Sequence, residues 1–145
     1  KSVMDFQRID MKNLTRTQAV SLVEQHFISP EFICDTEGKT LLLSKDKTVS
    51  IMINEEDHLR IQVIKSGLCL NEAYALATMV EEKLGEVLNF AFSDSLGYLT
   101  ECPTNLGTGL RASVMLHLPA LESDREIEGL ASNIGKIAIP ILSFI

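Results

Sequence analysis

Residues 49–63 read Val49-Ser50-Ile51-Met52-Ile53-Asn54-Glu55-Glu56-Asp57-His58-Leu59-Arg60-Ile61-Gln62-Val63. Val49, Ile51 and Ile53 alternate with Ser50 and Met52, and Leu59, Ile61 and Val63 alternate with Arg60 and Gln62, so each half has the period of two of a strand. The polar tetrapeptide Asn54-Glu55-Glu56-Asp57 between them predicts an antiparallel hairpin with an acidic tip. Alternate residues of a strand share a face, so His58, Arg60 and Gln62 point away from the apolar side made by Leu59, Ile61 and Val63. A cation thereby stands beside a carboxylate cluster. Taken alone, the tip also fits a solvated turn.

On the N-terminal side, Thr40 to Leu43 is a short strand bounded by the polar turns Thr36-Glu37-Gly38-Lys39 and Ser44-Lys45-Asp46-Lys47. Asn13 to Phe27 has apolar residues at Ala19, Leu22, Val23 and Phe27, the spacing of one helix face, with Thr15 or Asn13 as cap and Pro30 as stop. On the C-terminal side, Asn71 to Asn89 is a helix with Asn71 as cap. Its Tyr74, Ala77, Val80 and Leu84 form a core stripe, and Glu81, Glu82 and Glu86 a solvated face. Strands follow at Gly97 to Thr100 and on to Leu118, where Pro119 ends the run. Asp124 to Lys136 has a helical pattern and Ile137 to Ile145 is almost wholly apolar. Hairpins and helices without regular strand-helix-strand alternation predict an α+β domain, an antiparallel sheet flanked by helices.

The 145 residues suffice for one domain with one core, and 46% hydrophobic with 23% charged residues is the composition of a folded protein. A formal charge of −7 argues against nucleic acid as the main partner. The first residues lack the apolar core of a signal peptide and no run reaches the roughly 18 apolar residues of a membrane span, so a cytoplasmic protein with no membrane partner is expected. Cys34, Cys69 and Cys102 are widely spaced, which suggests neither a disulfide framework nor a zinc site. Cys34 and Cys69 have no accompanying motif and read as structural thiols.

The other chemically distinctive segment runs from Glu101 through Cys102-Pro103-Thr104-Asn105-Leu106-Gly107-Thr108-Gly109-Leu110 to Arg111. Two glycines let backbone amides approach a ligand, and Arg111 adds a fixed positive charge, a combination suited to phosphate or carboxylate. The same pattern also fits a tight connection carrying an inert cysteine.

NEEDHLRIQ at 54–62 and GYLTECPTNLGTGLR at 97–111 together resemble the phosphagen (ATP:guanidino) kinases, over about Ile28 to Leu121. LRIQ and RASVMLHLPAL bring the likeness nearest to the bacterial protein arginine kinases. The resemblance implies part of a guanidino kinase catalytic domain spanning 1–145, with ATP and Mg2+ as cofactors. It implies that Glu56 contacts the reactive guanidinium, that Glu55 lies near the water shell of the magnesium, and that Cys102 sits beside the same guanidinium. By the same likeness Arg60 and Arg111 hold nucleotide phosphates, Thr104 influences the thiolate, and Thr104 and Asn105 join Glu56 and Cys102 on the substrate side. No side chain is assigned as a direct metal ligand. An arginine-containing protein substrate, a zinc-binding activator and protease machinery are implied as partners, and a homodimer is left open.

The chemistry is consistent with those roles. A guanidinium, with a pKa above about 12, is a poor nucleophile until a positioned carboxylate orients it and accepts a proton. A thiolate favoured by nearby cations would hold the substrate cation in line with the γ-phosphorus. The match departs at Met115, where metabolic members carry a histidine against adenine; His117 is assigned no role. The arginine segment that precedes this region in the family, and the strand and loop that follow it, are not recognisable, so catalysis by these residues alone is expected to be incomplete. Two other functions fit the same residues: a non-catalytic module binding arginine or phosphoarginine side chains, and a thiol-based regulatory protein acting through Cys102.

Overall fold

In the computed structural model, which describes residues 4–123 and 126–135, four strands form one antiparallel sheet in chain order: β1 (Phe6–Asp10), β2 (Thr40–Ser44), β3 (Val49–Ile53) and β4 (Leu59–Val63). The α+β expectation holds. The hairpin register places Ile53 opposite Leu59, Met52 opposite Arg60 and Ile51 opposite Ile61. Asn54, with φ of 61°, turns the chain, and its N–H donates to the His58 carbonyl at 3.0 Å. Asparagine tolerates this left-handed conformation better than most residues, which suits it to the first position of the tip. β1 has no counterpart among the sequence expectations. Its residues are exposed or half-buried and among the described residues it pairs only with β2, so its alternation is diluted by an open edge.

Residues 4–112 make one compact unit, and two apolar clusters form in it where one core was expected. Both faces of the sheet are covered, and a strand divides its side chains between them. Leu41, Leu43 and Met52 meet Met11, Ile28 and the fully buried Phe32 on one face. Leu42, Val49, Ile51, Leu59, Ile61 and Val63 meet Val80, Leu76 and Leu84 on the other.

Helix α1 (Arg16–Glu24) covers the first face together with the single turns Met11–Asn13 and Pro30–Ile33. Thr15 is its cap: Thr15 Oγ1 accepts from the Gln18 N–H, and the Thr15 N–H donates to Gln18 Oε1 at 2.9 Å, a reciprocal capping box. The helix stops before Pro30. His26 adopts φ of 61°, its N–H donates to the Val23 carbonyl and that of Phe27 to the Leu22 carbonyl, which closes the end in the manner usually left to glycine. Pro30 instead opens the next turn.

Helix α2 (Leu70–Gly85) covers the second face. The residue at its cap position is Cys69, not Asn71, which lies inside the helix. The buried stripe is Leu76, Val80 and Leu84, at four-residue intervals. Tyr74 lies about 200° around the helix from Leu76 and is 56% exposed, contrary to the core position expected for it. Glu81, expected on a solvated face, accepts from the Tyr98 hydroxyl at 2.8 Å. Burial and that carboxylate raise the Tyr98 pKa, the hydrogen bond being the larger cause. Cys34 is exposed and Cys69 half-buried, so neither is a core thiol.

Beyond α2, β5 (Phe92–Ser93) and β6 (Gly97–Tyr98) make a two-stranded ribbon, shorter than the strand expected at 97–100. The expected strand running to Leu118 does not form: residues 110–118 have no regular structure. A strand is a property of a pair, and none of the described residues ladders with this stretch. In the second unit, beginning at Ser113, helix α3 (Pro119–Ser123) has no counterpart among the sequence expectations, whereas α4 (Ile127–Gly135) forms within the helical pattern of Asp124 to Lys136, and the Glu126 N–H bonds the Leu121 carbonyl at 3.0 Å. Residues 124–125 and the apolar stretch 136–145 lie outside the described residues. Among the described residues no helix is long and apolar enough to cross a membrane.

Candidate functional site: the acidic hairpin tip and the thiol loop

The tip between β3 and β4 is held from three directions. Asn54 Nδ2 donates to the Gly38 carbonyl at 2.9 Å, which brings the turn before β2, and with it Lys39, against the tip. Ser29 Oγ, from the segment between α1 and the Pro30 turn, donates to Glu55 Oε1 at 2.6 Å. Arg60 Nη1 meets Glu55 Oε2 at 3.2 Å, and the Glu56 N–H donates to the same oxygen at 2.9 Å. The cation predicted beside the carboxylates is therefore paired with Glu55. Gln62, two residues on along the same face, donates from Nε2 to the His26 carbonyl at 2.5 Å.

Glu55 and Glu56 are neighbours with opposite situations. The Glu55 side chain is 6% exposed and both its oxygens are engaged. Burial by itself would raise its pKa, but the hydrogen bonds from Ser29 and the Glu56 N–H, together with the Arg60 charge, outweigh it and hold the carboxyl below the usual range. The Glu56 side chain is exposed and its carboxylate has no hydrogen bond or ion pair among the described residues. The locked carboxylate is built into the protein, and the free one faces whatever enters.

A folded-state pKa below the unfolded value means that Glu55 stabilises the fold above the unfolded value of about 4.3, and that this contribution is lost as pH falls through the lower folded value. Ser29→Ala removes a donor to a nearly buried charge and is expected to cost about 1.5 kcal/mol at pH 7. It should also flatten the fall in stability between about pH 5 and 2, because the lowering that drives it is smaller. Denaturant titrations at a series of pH values check this; an unchanged pH slope would show that Ser29 does not set the state of Glu55.

Glu55, Glu56 and Arg60 line a concavity of about 370 Å³ together with Glu31 and Lys39. Three carboxylates and two cations thus share one cleft, within the size range of small-ligand sites. Lys39 Nζ stands 5.4 Å from the centroid of the Phe32 ring, so the apolar core orients it. Glu31, Lys39 and Ser29 carried no signal in the sequence: none belongs to a motif there, and the long-range bonds of Ser29 to Glu55 and of Asn54 to Gly38 join their segments to the tip.

The second segment approaches the same tip. The Glu101 N–H donates to Asp57 Oδ1 at 2.8 Å, across 44 positions of sequence. Cys102, half-buried, lies next to Glu101, and its Sγ is 2.9 Å from Thr104 Oγ1. The Cys102 carbonyl accepts from the Thr100 hydroxyl at 2.9 Å and from the Asn105 N–H at 3.0 Å, which winds Pro103–Asn105 into a single turn. Tyr98 and Gly107 exchange backbone hydrogen bonds of 2.8 and 3.2 Å, and so close the loop that carries the thiol. Gly107 and Gly109 both have positive φ, and a Cβ added at Gly109 would come into ordinary contact with the Tyr98 side chain. Among the described residues Arg111 is exposed and makes no ion pair, and neither it nor Cys102 lines the cleft.

Comparison with known proteins identifies the family. The profile described as "ATP:guanido phosphotransferase, C-terminal catalytic domain" matches residues 1–143. A protein named protein-arginine kinase from Symbiobacterium thermophilum is 47% identical over 92% of this chain and 39% of its own length. One of the same name from Halothermothrix orenii is 49% identical over 92% and 38%. The chain thus spans about two fifths of the length of these relatives. Among solved structures, the duplicated taurocyamine kinase of Schistosoma mansoni with bound transition state analog components superposes with a TM-score of 0.70 at 31% identity, covering 85% of this chain and 19% of that one. A lombricine kinase gives 0.64 at 26% identity, over 88% and 40%.

Proposed function

The chain belongs to the ATP:guanido phosphotransferase family, matching its C-terminal catalytic domain, and from that premise we propose that it carries the acceptor side of a kinase acting on arginine side chains of proteins. The observation that carries the reading is the pairing of a locked with a free carboxylate on one hairpin tip, bonded to the thiol loop. In this reading the Glu56 carboxylate binds the substrate guanidinium and takes one of its protons. The freed nitrogen forms a bond to the γ-phosphorus while the bond to the bridging oxygen breaks, and ADP leaves with that electron pair. Glu55, neutralised by Arg60, keeps the arginine cation aimed at the cleft, where it faces phosphate oxygens. Cys102 adds negative charge beside the guanidinium when ionised, and Thr104 and Asn105 shape its turn. Arg111, free of protein partners among the described residues, is left for the nucleotide phosphates.

Magnesium enters as part of the MgATP substrate. Glu31, Glu55 and Glu56 line the cleft, but among the described residues no group of three His, Cys, Asp or Glu side chains could hold the ion, so the nucleotide phosphates and water would carry most of its coordination. Glu55, with both oxygens engaged, would meet the ion through its water shell. An activator protein, protease machinery and a cytoplasmic setting belong to the proposal for the whole protein.

The test is transfer of labelled γ-phosphate from ATP to an arginine-rich protein, to free arginine and to creatine. Labelling of the protein at acid-labile arginine sites is expected, with little transfer to creatine. A second reading, a module that binds arginine or phosphoarginine without transferring phosphate, is favoured by Arg111, which is exposed and makes no ion pair among the described residues. Calorimetry with MgADP separates them: nucleotide binding supports the kinase reading, and binding of phosphoarginine without nucleotide supports the module.

A further inference from the structure

We infer that Asp57 is a positioning residue that latches the thiol loop to the acidic hairpin, acting through its oxygen as a hydrogen-bond acceptor and not through its charge. Among the described residues, the bond from the Glu101 N–H to Asp57 Oδ1 is the sole hydrogen bond between residues 54–60 and 99–111. Everything else that shapes the loop is internal to it or faces elsewhere. Thr100 and Asn105 hold the Cys102 carbonyl, Thr104 holds the sulfur, and Tyr98 ties the ribbon to Gly107 and, through its hydroxyl, to Glu81 on α2. These bonds give the loop its form but not its place relative to Glu56. Asp57 supplies the place: it follows the free carboxylate directly, and its partner precedes the thiol directly.

The inference deepens the kinase reading, because alignment of two groups on one cation is worth much of the barrier in a reaction that asks chiefly for positioning. Its structural half does not depend on that reading, since the latch controls access to the sulfur whatever the site does. The Glu101 N–H asks only for an acceptor at that place, and a side-chain amide oxygen offers one in the same position as a carboxylate oxygen.

The decisive comparison is Asp57→Ala against Asp57→Asn in the full chain, with the rate of iodoacetamide modification at Cys102 read by peptide mass spectrometry, which distinguishes it from Cys34 and Cys69. Asp57→Ala frees the loop and is expected to speed modification at least about threefold. Asp57→Asn keeps the oxygen, removes the charge and is expected to stay within twofold of the parent. Phosphoryl transfer should follow the same order, with kcat down about tenfold in Asp57→Ala, the size of one lost hydrogen bond, and largely restored in Asp57→Asn. No acceleration in Asp57→Ala, or equal rates in the two variants, overturns the latch. Faster modification in Asp57→Ala alone, in a protein that binds phosphoarginine but no MgADP, keeps the latch and overturns the kinase reading instead.

Discussion

Glu56→Gln is expected to lower kcat for arginine phosphorylation by about 10²- to 10⁴-fold while leaving the affinity for MgADP within a factor of about two. The amide preserves the shape of the side chain and can still accept a hydrogen bond, but it can neither balance the guanidinium charge nor take its proton. The prediction is sharp because the two adjacent carboxylates divide their tasks. Glu55 is engaged by Ser29, Arg60 and the Glu56 N–H, so it is not free to replace its neighbour. The fold should be indifferent to the change, since the Glu56 side chain is exposed and its carboxylate makes no hydrogen bond or ion pair among the described residues. Single-turnover transfer measured beside equilibrium nucleotide binding is the check. Activity at the parental rate would remove Glu56 as the base and with it the mechanism proposed above.

Gly97→Ala is expected to lose roughly 2 to 5 kcal/mol of stability and to lower Tm by on the order of 10 °C. Gly97 has φ of +76°, and a Cβ built there would lie 2.3 Å from the Gly107 carbonyl oxygen and 2.7 Å from the Gly107 Cα. Those atoms are backbone, so no side chain can swing aside. Relief must come from breaking the Tyr98–Gly107 bridge that closes the thiol loop. The variant should therefore lose activity as well as stability. Gly38→Ala is the control: its φ is also positive, at +70°, but nothing lies within 4 Å of the added carbon. Its cost should be the conformational one alone, about 1 to 2 kcal/mol. Thermal melts of the two variants decide the point, and equal melting temperatures would show that the bridge is not held by close backbone approach.

The parts of the fold legible in the sequence are those whose signal is local. Strands β3 and β4 have the bounds that alternation marked, because a half-buried strand writes its two environments into neighbouring residues. Residue type leaves Thr15 and Asn13 as the candidate caps of α1; Thr15 is the cap, and Gln18 completes the box. The misses share a cause. Tyr74 is apolar enough to join a stripe, but the stripe that matters is chosen by β4, which selects Leu76, Val80 and Leu84. The residues before Leu118 alternate as a strand does, yet alternation cannot supply a partner. His26 ends α1 in a conformation that its residue type does not announce.

The candidate site divides the same way. The chemical inventory, with two carboxylates and an arginine on one hairpin and a thiol followed by a glycine-rich loop before Arg111, was determined by the sequence alone, because residue type and strand period are local properties. Tertiary structure decided which carboxylate is locked and which is free, by bringing Ser29 to Glu55. It decided that Gly38 braces Asn54 and places Lys39 at the cleft, and that Asp57 receives the Glu101 N–H. Those bonds join residues 16 to 44 positions apart. A hydrogen bond of that reach depends on how loops are set by the packing of the elements they connect, and no pattern within either loop encodes the partner.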